Sequence, residues 1–160
     1  MAQKNDEKTN VMRLLEQKKI SYTPHLYYDT EETNGMEIAA RLGENPDRCF
    51  KTLVTVGKSL NKYVFVIPVN RELDLKKAAK AVSEKSVEML KSKELLPLTG
   101  YVHGGCSPIG MKKFFKTVIN ITAENFETIY FSAGKIGYQV ELSIENLKKI
   151  IPFTLSDLTV

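Results

Sequence analysis

The chain contains no tryptophan, two cysteines and two histidines among its 160 residues. Two cysteines cannot build a disulfide framework, and Cys49 and Cys106 stand 57 positions apart, in no metal-ligand spacing. The sequence therefore suits a reducing, cytoplasmic setting, and no cofactor or metal motif is found in it. The longest apolar run, Tyr63 to Val69, is far short of the roughly 18 residues needed to span a membrane. The polar N-terminus, MAQKNDEKTN, has neither the apolar core of a secretory signal nor the character of a transit peptide. No low-complexity tract, internal repeat or Pro/Gly/Ser linker divides the chain. One domain over residues 1–160 is expected, with 1–8 as a polar lead-in.

What is present is ordinary for a soluble globular domain: 42% hydrophobic and 26% charged residues, with a net charge of +4. A chain of this length buries roughly 70% of its unfolded surface, enough for a full core without staples. The positive charge is clustered: Lys76, Lys77 and Lys80; Lys112, Lys113 and Lys116; and Lys148 with Lys149. Attraction of a polyanion requires such clusters on one face, whereas solvated helix faces give the same pattern without it.

Helices are expected after Thr9 or Asn10, with Val11, Leu14 and Leu15 inward, and from Asn34, whose Glu37 partner marks a helix start, to Gly43. A third follows Asp74 through Val82, with Leu75, Ala78, Ala79 and Val82 inward. A short one covers Ser92–Leu96, and the last runs from Ser143 to Ile150. Asn45-Pro46-Asp47 reads as a turn. Strands are expected at Ser21–Tyr28, Cys49–Val56, Lys62–Val69, Ser86–Met89, Thr117–Ile121, Thr128–Ser132 and Tyr138–Leu142. The second and third of these should pair antiparallel. Irregular mixing of strands and helices argues for an α+β fold with a mixed sheet.

Gly104-Gly105-Cys106-Ser107-Pro108-Ile109-Gly110 packs three glycines into seven positions. Such a loop lets backbone N–H groups approach a phosphate or carbonyl oxygen, and it equally serves as a tight turn. Met111 stands where a P-loop needs lysine, and Ile109 where a nucleophile elbow needs glycine. His103 and Ser107 have no obvious orienting carboxylate, and nothing near Cys106 guarantees a lowered pKa. Lys51 lies in an alternating strand, either facing solvent or placed by that strand at a cleft mouth. Ser132-Ala133-Gly134-Lys135 reads as a second turn able to face the glycine loop. Conventional catalytic machinery is missing.

Three ordered segments, Cys49-Phe50-Lys51-Thr52-Leu53-Val54, Asp74 to Ala81 and Thr99 to Gly110, closely resemble the YbaK/EbsC family, stand-alone relatives of the editing domain of bacterial prolyl-tRNA synthetase. The resemblance covers nearly the whole chain. Ser21 to Tyr27 and Glu32-Thr33-Asn34 are similar to its Cys-tRNA(Pro) deacylase branch. It implies a mixed, barrel-like sheet with helices outside, and trans-editing of cysteine from tRNA(Pro), less selectively from Cys-tRNA(Cys). It further implies that Lys51 sits near the acylated 3′ end, with Gly104 and Gly105 supplying catalytic backbone groups. Tyr27, Cys106, Ser107, Pro108, Gly110, Ser132, Gly134, Lys135 and Gln139 are the implied substrate-binding set. The implied partners are the acceptor end of an aminoacylated tRNA and prolyl-tRNA synthetase. Gln139 replaces the aspartate common in that branch, and Cys106 an aliphatic residue. Three alternatives stay open: a module that binds tRNA or synthetase without cleavage, a deacylase for another small aminoacyl group, and an esterase acting on small molecules.

Overall fold

The computed structural model describes residues 8–27 and 33–160. Helix α1 (Asn10–Gln17) opens on Thr9, whose hydroxyl accepts the Met12 N–H at 3.2 Å and so satisfies a donor that the first turn cannot. Its inward stripe is Val11, Met12 and Leu15, with Leu14 partly buried beside them. Asn34 caps α2 (Gly35–Leu42) by accepting from Met36 and Glu37 N–H.

Strand β1 (Thr23–Leu26) falls inside the expected Ser21–Tyr28, whose last residue lies outside the described residues, as does Glu32. β2 (Phe50–Gly57) and β3 (Lys62–Pro68) form the anticipated antiparallel pair, with Phe50 opposite Pro68. β4 (Val87–Met89) joins the free edge of β2, while β5 (Lys116–Asn120) runs parallel to β3. β6 (Ile129–Lys135) and β7 (Tyr138–Leu142) pair antiparallel, and β7 takes β1 on its other side. A three-residue strand, β8 (Thr154–Ser156), lies parallel to β5. Nothing in its short polar sequence announces it, and it forms only because β5 offers an open edge.

The fold is mixed α+β. Among the described residues the strands form two sheets, ordered β1-β7-β6 and β4-β2-β3-β5-β8, and neither closes into a barrel. They meet, among the described residues, at one isolated backbone bridge, between Cys49 and Tyr130. The main core fills the space between them with Val54, Val64, Val66 and Ile119 from one and Phe131, Val140 and Leu142 from the other. On the far face of β3, Tyr63, Phe65 and Ile67 pack against Ala78, Ala79 and Val82 of and beside α3 (Leu75–Ala81). Because β3 is covered on both faces, its sequence reads as an unbroken apolar run rather than an alternation.

Leu75 is 42% exposed rather than inward, because the buried stripe of α3 begins one turn later, at Ala78. α4 (Ser92–Thr99) continues past Leu96 despite Pro97, held by Thr99 Oγ1 on Leu95 O and Gly100 N–H on Leu96 O. The last helix, α5 (Ile144–Lys148), is shorter than expected but starts on the Ser143 cap. Lys77 is engaged by Asp157 and the Thr159 carbonyl, and Lys148 sits over the Phe153 ring. Lys112 Nζ donates to the Pro97 carbonyl at 3.5 Å, so each of the three lysine clusters has a member occupied within the fold.

Candidate active site

A cavity of about 440 Å³ opens at the seam between the sheets, with Phe50, Lys51 and Thr52 on one wall and Phe131, Ser132 and Gln139 on the other. Cys49, one half of the connecting bridge, also lines it. The start of α2 and the glycine loop close the remaining sides through Asn34, Met36, His103, Gly104 and Cys106. Segments dispersed along the chain thus supply one concave site, as small-ligand pockets usually require.

Lys51 is held by the rigid β2 strand with its side chain 33% exposed and its Nζ 4.0 Å from the Glu72 carboxylate. Among the described residues lining the cavity, Lys51 is the sole Lys or Arg and Glu72 the sole Asp or Glu. Tyr27 is buried against the cavity, its N–H donating to Gly137 O at 2.8 Å. Burial raises its phenol above the ordinary value.

The glycine loop is wedged between two elements. Gly104 adopts φ +88°, and a Cβ there would lie 2.6 Å from Thr33 Cγ2. On the opposite side a Cβ on Gly105 would come within 3.2 Å of the Ile136 N, in the turn joining β6 and β7. Gly105 does not line the cavity, and its N–H donates to Val102 O at 2.9 Å. Gly104 and Cys106, on either side of it in the chain, do line the cavity.

Ser107 and Pro108 are buried beneath the loop rather than in the cavity wall. The Ser107 hydroxyl accepts the Ile109 N–H at 3.3 Å, an anchoring task that occupies it within the turn. Gly110 and Gly134 abut the Tyr101 ring, which packs between them. Ser132 lines the cavity, whereas Gly134 and Lys135 do not. Residues 132–135 belong to strand β6 at an irregular register, and the turn itself is displaced to residues 136–137. This segment does face the glycine loop, through Lys135 and Ile136.

Both cysteines are buried thiols. Burial pushes Cys106 up to about 12. Cys49 is raised too, by burial and by the Glu44 carboxylate, to which its Sγ donates at 3.3 Å. Neither supplies an appreciable thiolate at neutral pH.

The polar face of β7 extends outward from Gln139 to Glu141, two residues on and so on the same side. His25 Nε2 lies 2.8 Å and Arg48 Nη2 3.2 Å from the Glu141 carboxylate, and Thr128 Oγ1 also donates to it. Burial alone raises Glu141, but these bonds and charges more than offset it and hold the carboxyl below its usual range. A depressed folded value contributes stability above the unfolded value, about 4.3, that is lost as the pH falls through the folded one. Glu141→Gln is expected to cost about 1–3 kcal/mol at pH 7. The gap to wild type should shrink below about pH 4; urea unfolding at pH 7 and pH 3.5 reads both.

Sequence reasoning did not single out Glu44, Glu72 or Phe131. Each becomes part of the site or its wall through tertiary pairing alone.

The chain matches the family model of the aminoacyl-tRNA editing domain over residues 30–150. It belongs to that family. This editing domain is 46% identical over 157 residues, 98% of its length, to EbsC of Enterococcus faecalis, which is covered over 96% and named as a candidate Cys-tRNA(Pro)/Cys-tRNA(Cys) deacylase. It is 23% identical over 122 residues to the uncharacterised YwhH of Bacillus subtilis, covering 76% of this chain and 77% of that one. Its fold matches the crystal structure of the hypothetical protein APE2540 with a TM-score of 0.87 at 20% identity, covering 95% of this chain and all of that one. A candidate trans-editing enzyme for prolyl tRNA synthetase matches with a TM-score of 0.79, also at 20% identity, over 96% and 99% of the two chains. No helix among the described residues is long and apolar enough to cross a membrane.

Proposed function

We propose that this editing domain is a trans-acting aminoacyl-tRNA deacylase that removes cysteine mischarged onto tRNA(Pro), and less selectively from Cys-tRNA(Cys). The observation that carries this reading is the 46% identity to EbsC along nearly the whole of both chains. The cavity volume, about 440 Å³, suits a small aminoacyl ester, and Lys51 at its rim suits the phosphate or ribose of the terminal nucleotide. Prolyl-tRNA synthetase is the partner proposed to supply tRNA identity.

The nucleophile is the substrate's own. The buried Ser107 hydroxyl is anchored within its turn and the Cys106 thiol is held protonated, whereas a cysteinyl ester carries a thiol beside its carbonyl. That thiol attacks the carbonyl carbon: a C–S bond forms, the C–O bond to the ribose breaks, and the thiol proton leaves on the ribose oxygen. The products are a thiolactone and deacylated tRNA. The protein holds the ester in reactive geometry, and the backbone N–H groups of Gly104 and Cys106, two residues that line the cavity, stabilise the developing oxyanion.

Single-turnover deacylation of Cys-tRNA(Pro) and Ser-tRNA(Pro), against spontaneous hydrolysis, tests this. Cysteine should be lost at least about 100-fold faster than serine, in line with an effective intramolecular nucleophile. Equal rates would sink the thiol mechanism. No acceleration of either ester, with tRNA still bound, would make the protein a binding module.

A further inference from the structure

The cavity's polar wall is backed by a carboxylate for which the proposed cleavage has no use. Gly43 ends α2 at φ +69°. Its N–H donates to Ala40 O at 3.2 Å, and the N–H of Glu44 donates to Ala39 O at 2.8 Å, the paired bonds of a Schellman cap. This reversal delivers the Glu44 side chain to β7. There Oε1 accepts from Gln139 Nε2 at 3.0 Å and from Cys49 Sγ at 3.3 Å. Gln139 and Cys49 both line the cavity.

The remaining oxygens of this pair stand idle. Glu44 Oε2 and Gln139 Oε1 are both buried without a hydrogen-bond partner among the described residues. Gln139 is 6% exposed, and its amide orientation is fixed, since the NH₂ end must face the carboxylate. No Lys, Arg or His forms a salt bridge with Glu44 among the described residues. Of the nearby charges, His25 favours its ionised form and Glu141 opposes it, and burial raises the carboxyl. An unpaired buried carboxylate costs stability, and idle buried acceptors call for a partner that arrives later. An idle amide oxygen on a cavity-lining side chain, with a carboxylate directly behind it, matches a small cation with several N–H donors.

We propose that Glu44, acting through Gln139, holds the α-ammonium of the aminoacyl group, so that the site accepts esters with a free amine and rejects N-blocked ones. The assignment rests on the deacylase reading and adds a substrate class to it. Glu44 is a positioning residue: its carboxylate holds the Gln139 NH₂ end and so leaves the amide oxygen for the ligand. Peptidyl- and N-acyl-aminoacyl-tRNAs, which lack the cation, are thereby spared.

The test compares Cys-tRNA(Pro) with N-acetyl-Cys-tRNA(Pro) in single turnover, for wild type and Glu44→Gln. Wild type should prefer the free amine by about 10-fold or more, the scale of a charge-assisted hydrogen bond. In Glu44→Gln that ratio should fall to within about three-fold of unity, and Tm should hold or rise because an unpaired buried charge is gone. Gln139→Met, which keeps the length and removes the amide, should lower the ratio likewise if Glu44→Gln folds poorly. A wild-type ratio near one, or variants that keep the wild-type ratio, would overturn the assignment. Calorimetric binding of a non-hydrolysable 3′-cysteinylamido-adenosine and its N-acetyl form separates the two claims. A free-amine preference there that Glu44→Gln erases upholds the ammonium site even if no ester is cleaved, and its absence removes the site whatever the deacylase result.

Discussion

Lys51→Ala is expected to lower kcat/KM for Cys-tRNA(Pro) by at least about 100-fold, equivalent to about 2.7 kcal/mol of transition-state binding. Lys51 is the only Lys or Arg among the described cavity-lining residues, so no neighbour replaces its charge. It is also one-third exposed on a rigid strand, where a cation keeps its position without ordering a loop. Its ion pair in the free protein is with an 87% exposed glutamate at 4.0 Å, and such pairs contribute little. Thermal unfolding should therefore shift by no more than about 2 °C. A deacylation loss under three-fold would remove Lys51 from the site, and a loss matched by unfolding would make it structural.

Gly104→Ala is the second large effect. The new methyl would lie 2.6 Å from Thr33 Cγ2 and 2.7 Å from Thr33 Cβ, atoms too close to the backbone to swing aside. The residue would also have to hold φ +88°, a conformation that costs an L-residue about 1–2 kcal/mol. The loop must recoil from Thr33, just ahead of α2, carrying the cavity-lining Gly104 and Cys106 with it. A fall of about 100-fold in kcat is expected, the scale of losing one oxyanion donor, with KM for tRNA changed far less. Gly43→Ala supplies the stability control, since its φ is +69° but its methyl meets open space. It should cost only the backbone strain, about 1 kcal/mol, and Gly104→Ala should exceed it in urea unfolding. Equal costs would mean that the Thr33 contact is relieved without displacing the loop.

Local chemistry made much of the fold legible. The caps at Thr9, Asn34, Asp74 and Ser143 sit where side-chain acceptors stand before amphipathic runs, and the β2–β3 pair follows from two β-rich runs joined by a glycine turn. What escaped was set by tertiary pairing. β8 exists through its neighbour β5, and Leu75 is exposed because the helix meets the sheet one turn later. Residues 132–135 carry turn-like composition, yet pairing with β7 draws them into a strand through an irregular register. In the site, six of the twelve anticipated residues line the cavity: Tyr27, Lys51, Gly104, Cys106, Ser132 and Gln139. Ser107, Pro108 and Gly110 shape the loop behind it, and Gly134 lies in β6 against Tyr101. Glu44 gave no local signal, because its meaning lies in a partner 95 positions away.

The Cys49–Tyr130 bridge bears on how the substrate range of such a domain can drift over generations. Neither sheet's own ladder spans the cavity, so the spacing of its walls is governed by side chains at the seam. Exchanging those side chains widens or narrows the chamber while both ladders stay intact. Selection can thus retune the acyl group admitted without first destabilising the scaffold, and a modest number of seam substitutions separates one preference from another.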